Sequence, residues 1–492
     1  MHKYILTFAA TLLACLIFLS DAAAAELGKG VNLSNWFANA MRQPVYEKDF
    51  QQIASAGFRH VRLPVNPEEY GFPLRSNSRP TDFKFDQIDR AIALAEKYKL
   101  QIILDIHPAS NFMETLEKQS WAEQSFADFW AYIAAHYKNK YMGTLVFELL
   151  NEPQYYNNEK RYNNLMKNVV AAIRKVDTTR TLIIGAPQGS SLEGLQELDT
   201  LRDSNIMYAF HFYEPYMITH QGIHMGFEDR MLRYFRNVPY PSGRATKDAR
   251  SYASNAPDPL QARNELQDYK DENWDAGHIA SRIRTASEWA RNHGNVRLIC
   301  TEYGVLRNHI DADSRYRWIQ DARVAMESNN IAWSLWDYAD LFGIVTLYGA
   351  TSTDRVDGSV RLLDAEKSSR TIEPAAMQAL GLSGRAAGQS QSTVTTTSPA
   401  ATTRSSSEMT TIPAENSLTS HMTIPDDTLT NKDSGVAVEI NDENMDYNSR
   451  SNTDTDTNHD NDGTGEKHRD YRHHHQYWHK GRRDFGKPVV YP

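Results

Sequence analysis

Between residues 26 and 383, short runs of β-branched and aromatic residues alternate with longer stretches whose apolar positions recur every three or four residues. The runs predict strands at 30–33, 60–65, 101–107, 144–152, 181–186, 207–213, 297–303 and 331–338. The longer stretches predict helices, among them 85–99, 121–137, 161–176, 276–293 and 313–328. In the first of these, Ile88, Ala91, Ile92 and Ala95 share one face, as a single buried stripe requires. Strand then helix, repeated eight times over about 350 residues, predicts an α/β fold, a closed (β/α)8 TIM barrel. An open doubly wound sheet would want a glycine-rich phosphate turn after the first strand, and Gly28-Lys29-Gly30 has the wrong spacing. One connection is out of scale. Residues 214 to about 271 follow the sixth strand with little periodicity, and a long βα insertion is expected to wall the active face.

The pattern fails at both ends of the chain. Residues 1–25 place a short polar start before an apolar run and finish on Ala22–Ala25, the layout of a cleaved secretory signal peptide. The run is short for a membrane span. Leu12-Leu13-Ala14-Cys15 also resembles a lipobox, but an alternative anchor at Cys15 would leave the better cleavage site unused. The expected location is therefore periplasmic or secreted. Residues 384–492 are Ser/Thr-rich, then Asp/Asn-rich, then basic and aromatic, without a sustained period. Such a tail cannot bury enough apolar surface to offset chain entropy and is expected to be disordered. Its basic end, with Arg472, Lys480, Arg482, Arg483 and Lys487, offers a contact for an anionic polymer or surface. His473, His474, His475 and His479 lack the folded cage that a metal site needs.

Composition narrows the class. A formal net charge of −9 argues against a nucleic-acid partner. Two cysteines, Cys15 and Cys300, exclude a disulfide scaffold, and Cys300 reads as a core residue. The 25 Tyr and 9 Trp rule out a wholly disordered chain and favour surfaces that stack on rings.

Active sites of barrels sit at the C-terminal ends of the strands. Here those ends carry Arg62, Asp105 and His107, Asn151 and Glu152, His211 and Tyr213, Glu302, and Trp336. Alternation predicts that Glu148, Leu150 and Glu152 share a face, with Glu148 deeper, a buried structural carboxylate paired with an arginine. It also places Cys300 below Glu302. The fourth and seventh strands face each other across a barrel, so Glu152 and Glu302 can flank one cleft. Two such carboxylates are the minimal machinery of glycoside hydrolysis. Arg62 and the Tyr213 hydroxyl are suited to keeping Glu302 ionised. On residues alone, the two Glu serve equally as a metal pair or as structural charges.

The motifs LNEP at 150–153 and TEYG at 301–304 resemble the acid/base and nucleophile signatures of glycoside hydrolase family 5, the cellulase family of clan A. The resemblance extends over about residues 26–383 and includes the opening GVNLSNWF. RLPV supplies Arg62, LDIHP His107, HFYEP His211 and Tyr213, and WSLWDY Trp336, in the family's order. The resemblance implies a retaining double displacement, with Glu152 as acid/base and Glu302 as nucleophile. It implies that Asn151 holds the sugar 2-hydroxyl, that His107 and His211 shape the site and that Trp336 forms the stacking floor. Neither a metal nor an organic cofactor is implied. The expected partner is a β-linked polysaccharide or oligosaccharide, cut by an endo-β-1,4-glucanase. Within the same chemistry, β-mannanase, xyloglucanase and β-1,3-glucanase stay open, as does a non-catalytic glycan-binding barrel. Trp36, Phe37, Trp121, Tyr155, Tyr156 and Tyr216 are candidate sugar platforms.

Overall fold

A computed structural model describes residues 26–38, 46–223, 231–244, 247–348 and 369–383. The expected signal peptide at 1–25 and tail at 384–492 lie outside the described residues. Eight parallel strands close into a barrel in chain order. They are β1 (Lys29–Asn32), β2 (His60–Val65), β3 (Gln101–Ile106), β4 (Leu145–Glu148), β5 (Leu182–Gly185), β6 (Ile206–Phe212), β7 (Arg297–Tyr303) and β8 (Ala332–Leu335). Closure runs through β1 and β8, with Gly30 opposite Ser334. A two-stranded antiparallel sheet, β9 (Val345–Tyr348) with β10 (Ser369–Ile372), follows the barrel.

The core has two shells. Inside the barrel Ile103, Val146, Ile183, Met207, Ala209 and Ile299 pack together, one or two per strand. A larger shell lies between sheet and helices, where Trp130, Trp318 and Trp333 are fully buried. The predicted helices appear as Asp86–Lys97, Ser120–Tyr137, Glu159–Arg174, Ala276–Asn292 and Ala312–Ser328. Several begin on side-chain caps: Asp275 accepts from the His278 N–H and Asp311 from the Ser314 N–H. At the foot of the barrel the His60 ring crosses the interior, and a Cβ on Gly30 would meet it at 1.9 Å, so only glycine fits there. Burial lowers the His60 pKa to about 4. Nδ1 donates to the Leu27 carbonyl (3.0 Å) and Nε2 accepts from the Ser334 hydroxyl (2.6 Å), which suits the neutral ring.

Three expectations are corrected. The long segment after β6 is not aperiodic: it contains helices Lys247–Ala253 and Pro259–Asp271, the second capped by Asp258 with Pro259 in its first turn. Strand β4 stops at Glu148 rather than 152. Beyond it the chain stays pinned by Leu149 N–H to Ile183 C=O (3.0 Å) and Asn151 N–H to Ile106 C=O (2.9 Å), while Glu152 turns to φ +40°. Simple alternation therefore does not carry from Glu148 to Glu152. Finally, Cys300 does not lie below Glu302 on one face. Ile299 belongs to the barrel interior, and Cys300 is buried in the outer shell. The register slips between Cys300 and Tyr303, where β7 carries one extra residue: Phe210 pairs with Cys300, but His211 pairs with Glu302. This bulge resets the phase of the strand.

Candidate active site

A polar layer sits on the apolar interior of the barrel. Its hub is Arg62 of β2, fully buried. Its Nε and Nη2 donate to the two oxygens of Glu148 on β4, at 2.7 and 3.0 Å. Nη1 donates to Glu302 Oε1 at 2.7 Å and to Asn32 Oδ1 at 3.0 Å. Nη2 also reaches Asn151 Oδ1 and Asp105 Oδ2, each at 2.9 Å. One guanidinium thus faces three buried carboxylates, those of Asp105, Glu148 and Glu302. Burial works against the Arg62 charge, but these carboxylates overwhelm it and hold its pKa well above the usual arginine value. The layer has an excess of negative charge, and its neighbours respond. Burial, reinforced by Asp105, raises the Glu148 pKa despite the Arg62 clamp. Glu148 has the arginine partner expected of a buried structural carboxylate.

Glu302, at the end of β7, is almost covered. Its Oε1 takes the Arg62 bond, and its Oε2 accepts from the Tyr213 hydroxyl at 3.0 Å. Glu152 stands at the mouth, with 42% of its side chain exposed. A non-glycine residue at positive φ costs of order 1–3 kcal/mol, and such strain collects at working sites. Bonds from Gly189 N–H to Pro153 C=O (2.9 Å) and from Gln154 Nε2 to Glu152 C=O (2.8 Å) hold the turn. His211 lies between the two glutamates. Its Nδ1 donates to Glu152 Oε1 (3.0 Å) and sits 3.5 Å from Glu302 Oε2. Burial disfavours its charge, but the Glu302 carboxylate and the bond and charge of Glu152 win, so its pKa is raised. Its Nε2 meets Thr301 Oγ1 at 3.1 Å, and Thr301 is the extra residue of the β7 bulge.

A second chain of contacts fixes the aromatic floor. Asp105 Oδ2 accepts from His107 Nδ1 (2.9 Å), so His107 Nε2 is left to accept from Asn151 Nδ2 (3.2 Å). The His107 ring lies nearly parallel to Trp336, with centroids 5.9 Å apart and planes at 16°. Trp336 is half-buried and follows β8, its N–H bonded to Tyr303 C=O at 2.8 Å. Next to it, burial raises the Asp337 pKa to about 7, and the Ser34 hydroxyl and the Asp340 N–H donate to its carboxyl.

All eight sequence-predicted positions, Arg62, His107, Asn151, Glu152, His211, Tyr213, Glu302 and Trp336, converge on this one layer. The proposed platforms do not all survive: Phe37 and Tyr155 are fully buried core residues, unavailable to a sugar. Trp121 is exposed, and Trp36, Tyr156 and Tyr216 are partly so. Sequence reasoning gave no role to Asn32 or Asp105. Asp105 shares the His107 face at a strand end, a signal sufficient to include it. Asn32 ends β1, where its Nδ2 donates to the Thr301 carbonyl at 3.0 Å.

Glu152, His211 and Glu302 offer ligand atoms all within 4.8 Å of one another, the kind of set a cation could use. The same closeness serves covalent glycosyl transfer. The carboxylate oxygens fall on the side of roughly 5–5.5 Å, where one carboxylate attacks, and short of about 6.5 Å, where a water fits between them. Glu302 is held in place between the Arg62 guanidinium and the Tyr213 phenol.

Comparison with known proteins agrees with this geometry. Residues 21–341 match the model of the cellulase family, glycosyl hydrolase family 5. Endoglucanase C of Acetivibrio thermocellus is 31% identical over 329 residues, covering 63% of this chain and 90% of that protein. Cellodextrinase A of Ruminococcus flavefaciens is 26% identical over 309 residues, covering 59% of this chain and 80% of the relative. Among solved structures, the cellulose synthase subunit Z of Clostridioides difficile superposes with a TM-score of 0.53 at 27% identity, covering 72% of this chain and 99% of that one. The chain belongs to glycosyl hydrolase family 5, and it is a glycoside hydrolase built on a (β/α)8 barrel.

Proposed function

We propose that the protein is an endo-acting β-1,4-glucanase that works by a retaining double displacement. The observation that carries this reading is the pair of carboxylates: Glu302 buried and clamped, Glu152 exposed at the mouth, their oxygens within 4.8 Å. In the first step the ionised Glu302 attacks the anomeric carbon. The glycosidic C–O bond breaks, and the leaving oxygen takes the proton of Glu152. In the second step Glu152, now a carboxylate, accepts a proton from water. That water attacks the anomeric carbon and releases Glu302. Asn151, anchored by Arg62 and facing His107, is placed to bond a hydroxyl of the cleaved sugar, and Trp336 offers its ring as the floor. The endoglucanase relatives support the glucan as substrate. The leader-like pattern of 1–25 supports export to the periplasm or the medium, with attachment through the basic end of the chain. No helix among the described residues is long and apolar enough to cross a membrane.

The test is a panel of soluble β-1,4-glucan, β-1,3-glucan, xyloglucan and mannan, with product lengths measured. Rapid shortening of β-1,4-glucan supports the reading, and its absence sinks it. Glu302→Gln should lower turnover well over about a thousandfold while glycan binding persists. A normal rate in that variant removes Glu302 from the chemistry. Loss of polymer attachment on truncation at residue 384, with hydrolysis unchanged, tests the role of the tail.

A further inference from the structure

The long segment after β6 holds a cavity of about 300 Å³ that the double displacement does not use. It is lined by Gly222, Arg233, Tyr234, Arg236, Tyr252 and Asn255. The volume is at the lower edge of what small-ligand sites occupy, about 300–1,000 Å³. Neither guanidinium forms an ion pair among the described residues. Each lies over an aromatic ring instead: Arg233 is 5.2 Å from the Tyr234 centroid and Arg236 is 5.7 Å from that of Tyr252. Stacking of this kind fixes a guanidinium plane while leaving its N–H edge open to a ligand. After burial, the nearby Arg236 charge is what lowers the His309 pKa, which marks the locality as positive.

The cavity is connected to the proposed catalytic residues. Gly222 is two residues from His220, whose ring meets Tyr213 edge-on at 5.1 Å. Tyr213 in turn donates to Glu302. Gly222 has φ +75° and packs so closely on His309, from the loop after β7, that a Cβ there would approach that ring to 2.2 Å. The Asn237 N–H bonds the His309 carbonyl at 2.8 Å. The segment after β6 thus builds the cavity, buttressed by His309 of the loop after β7 and joined through His220 and Tyr213 to Glu302. A chain with formal net charge −9 should repel an anionic polymer, yet this patch presents two cations that form no ion pair among the described residues, beside sugar-sized aromatic surface.

We propose that the Arg233–Arg236 cavity is a subsite for an anionic substituent, a carboxylate or a phosphate ester, on the glycan that the catalytic face engages. Both groups match the guanidinium fork. The proposal deepens the glucanase reading, and its test separates the two. Affinity is read by retardation in native gels containing carboxymethyl cellulose, cellulose phosphate or neutral hydroxyethyl cellulose, with Glu302→Gln as the background so that polymer is not cut. Adding Arg233→Gln and Arg236→Gln should weaken binding to at least one anionic polymer roughly three- to tenfold, leaving the neutral polymer unaffected. The arm that responds identifies the group. The difference should vanish near 1 M salt, where the screening length is about 3 Å. The exposed single reversal Arg233→Glu gives the same reading if the double variant folds poorly. Equal loss on all three polymers, or none on either anionic one, overturns the subsite. Hydrolysis of hydroxyethyl cellulose by the wild type is scored separately: its absence counts against the glucanase reading, while the gels still decide the cavity.

Discussion

Arg62→Lys keeps a positive charge at the hub and removes its geometry. The guanidinium makes six polar contacts: two to Glu148, and one each to Glu302, Asn32, Asn151 and Asp105. An ammonium has three donors on a single nitrogen, so at least half of these contacts are lost whichever way the lysine turns. The three buried carboxylates together receive four of the six contacts, so at least one carboxylate contact is lost, and a single nitrogen that favours one of them breaks a pair with another. Breaking a buried pair costs about 3–5 kcal/mol, a large share of a typical stability of about 5–15 kcal/mol. If the bond to Glu302 Oε1 is among those lost, a charge-assisted bond of about 2–3 kcal/mol goes with it. That corresponds to roughly 30- to 150-fold in kcat/KM. Urea unfolding and initial rates on a soluble β-1,4-glucan measure the two effects on one preparation. A lysine variant within about twofold of wild-type rate and within about 1 kcal/mol of wild-type stability would show that charge alone suffices at this position, and the hub argument would fail.

Other outcomes follow from the same layer. Glu148→Gln keeps shape and leaves Arg62 with Asp105 and Glu302, so kcat should stay within about tenfold of wild type; a loss as deep as that of Glu302→Gln would make Glu148 a participant in the chemistry. Trp336→Ala should raise KM about five- to thirtyfold, the worth of roughly 1–2 kcal/mol of ring contact, and unaltered kinetics on every glycan would remove Trp336 from the site. The His211 pKa is raised in the folded state, so its contribution to stability is full below the unfolded value of about 6.5 and is lost as pH rises through the folded value. The stability advantage of wild type over His211→Asn should therefore shrink on going from about pH 6 to alkaline pH, and a constant difference in urea midpoint contradicts that account.

How much of this was legible in the sequence depends on which rule each residue obeys. Strands β2 and β7 match their predicted bounds because β-branched and aliphatic residues dominate each run, with Asn66-Pro67 closing one and Gly304 the other. The strand-end motifs place the candidate residues around one end of the barrel in chain order, since chain order and spatial order coincide in a closed barrel. Depth and facing were less legible. Alternation over 144–152 misjudged the route to Glu152, which reaches the mouth through a left-handed turn and not along a straight strand. The phase of β7 was misread because a bulge leaves no mark in composition. Phe37 and Tyr155 look like any other exposed aromatic in sequence; only tertiary packing puts them out of reach of a ligand.

The surplus residue in β7 carries a further consequence. Thr301 and Glu302 both serve the same inner surface, one toward His211 and the other toward Arg62. Deleting Thr301 would restore regular pairing and leave Glu302 facing inward, but His211 Nε2 would lose the hydroxyl that holds it. The surplus position thus matters for the hydroxyl it carries more than for the length it adds.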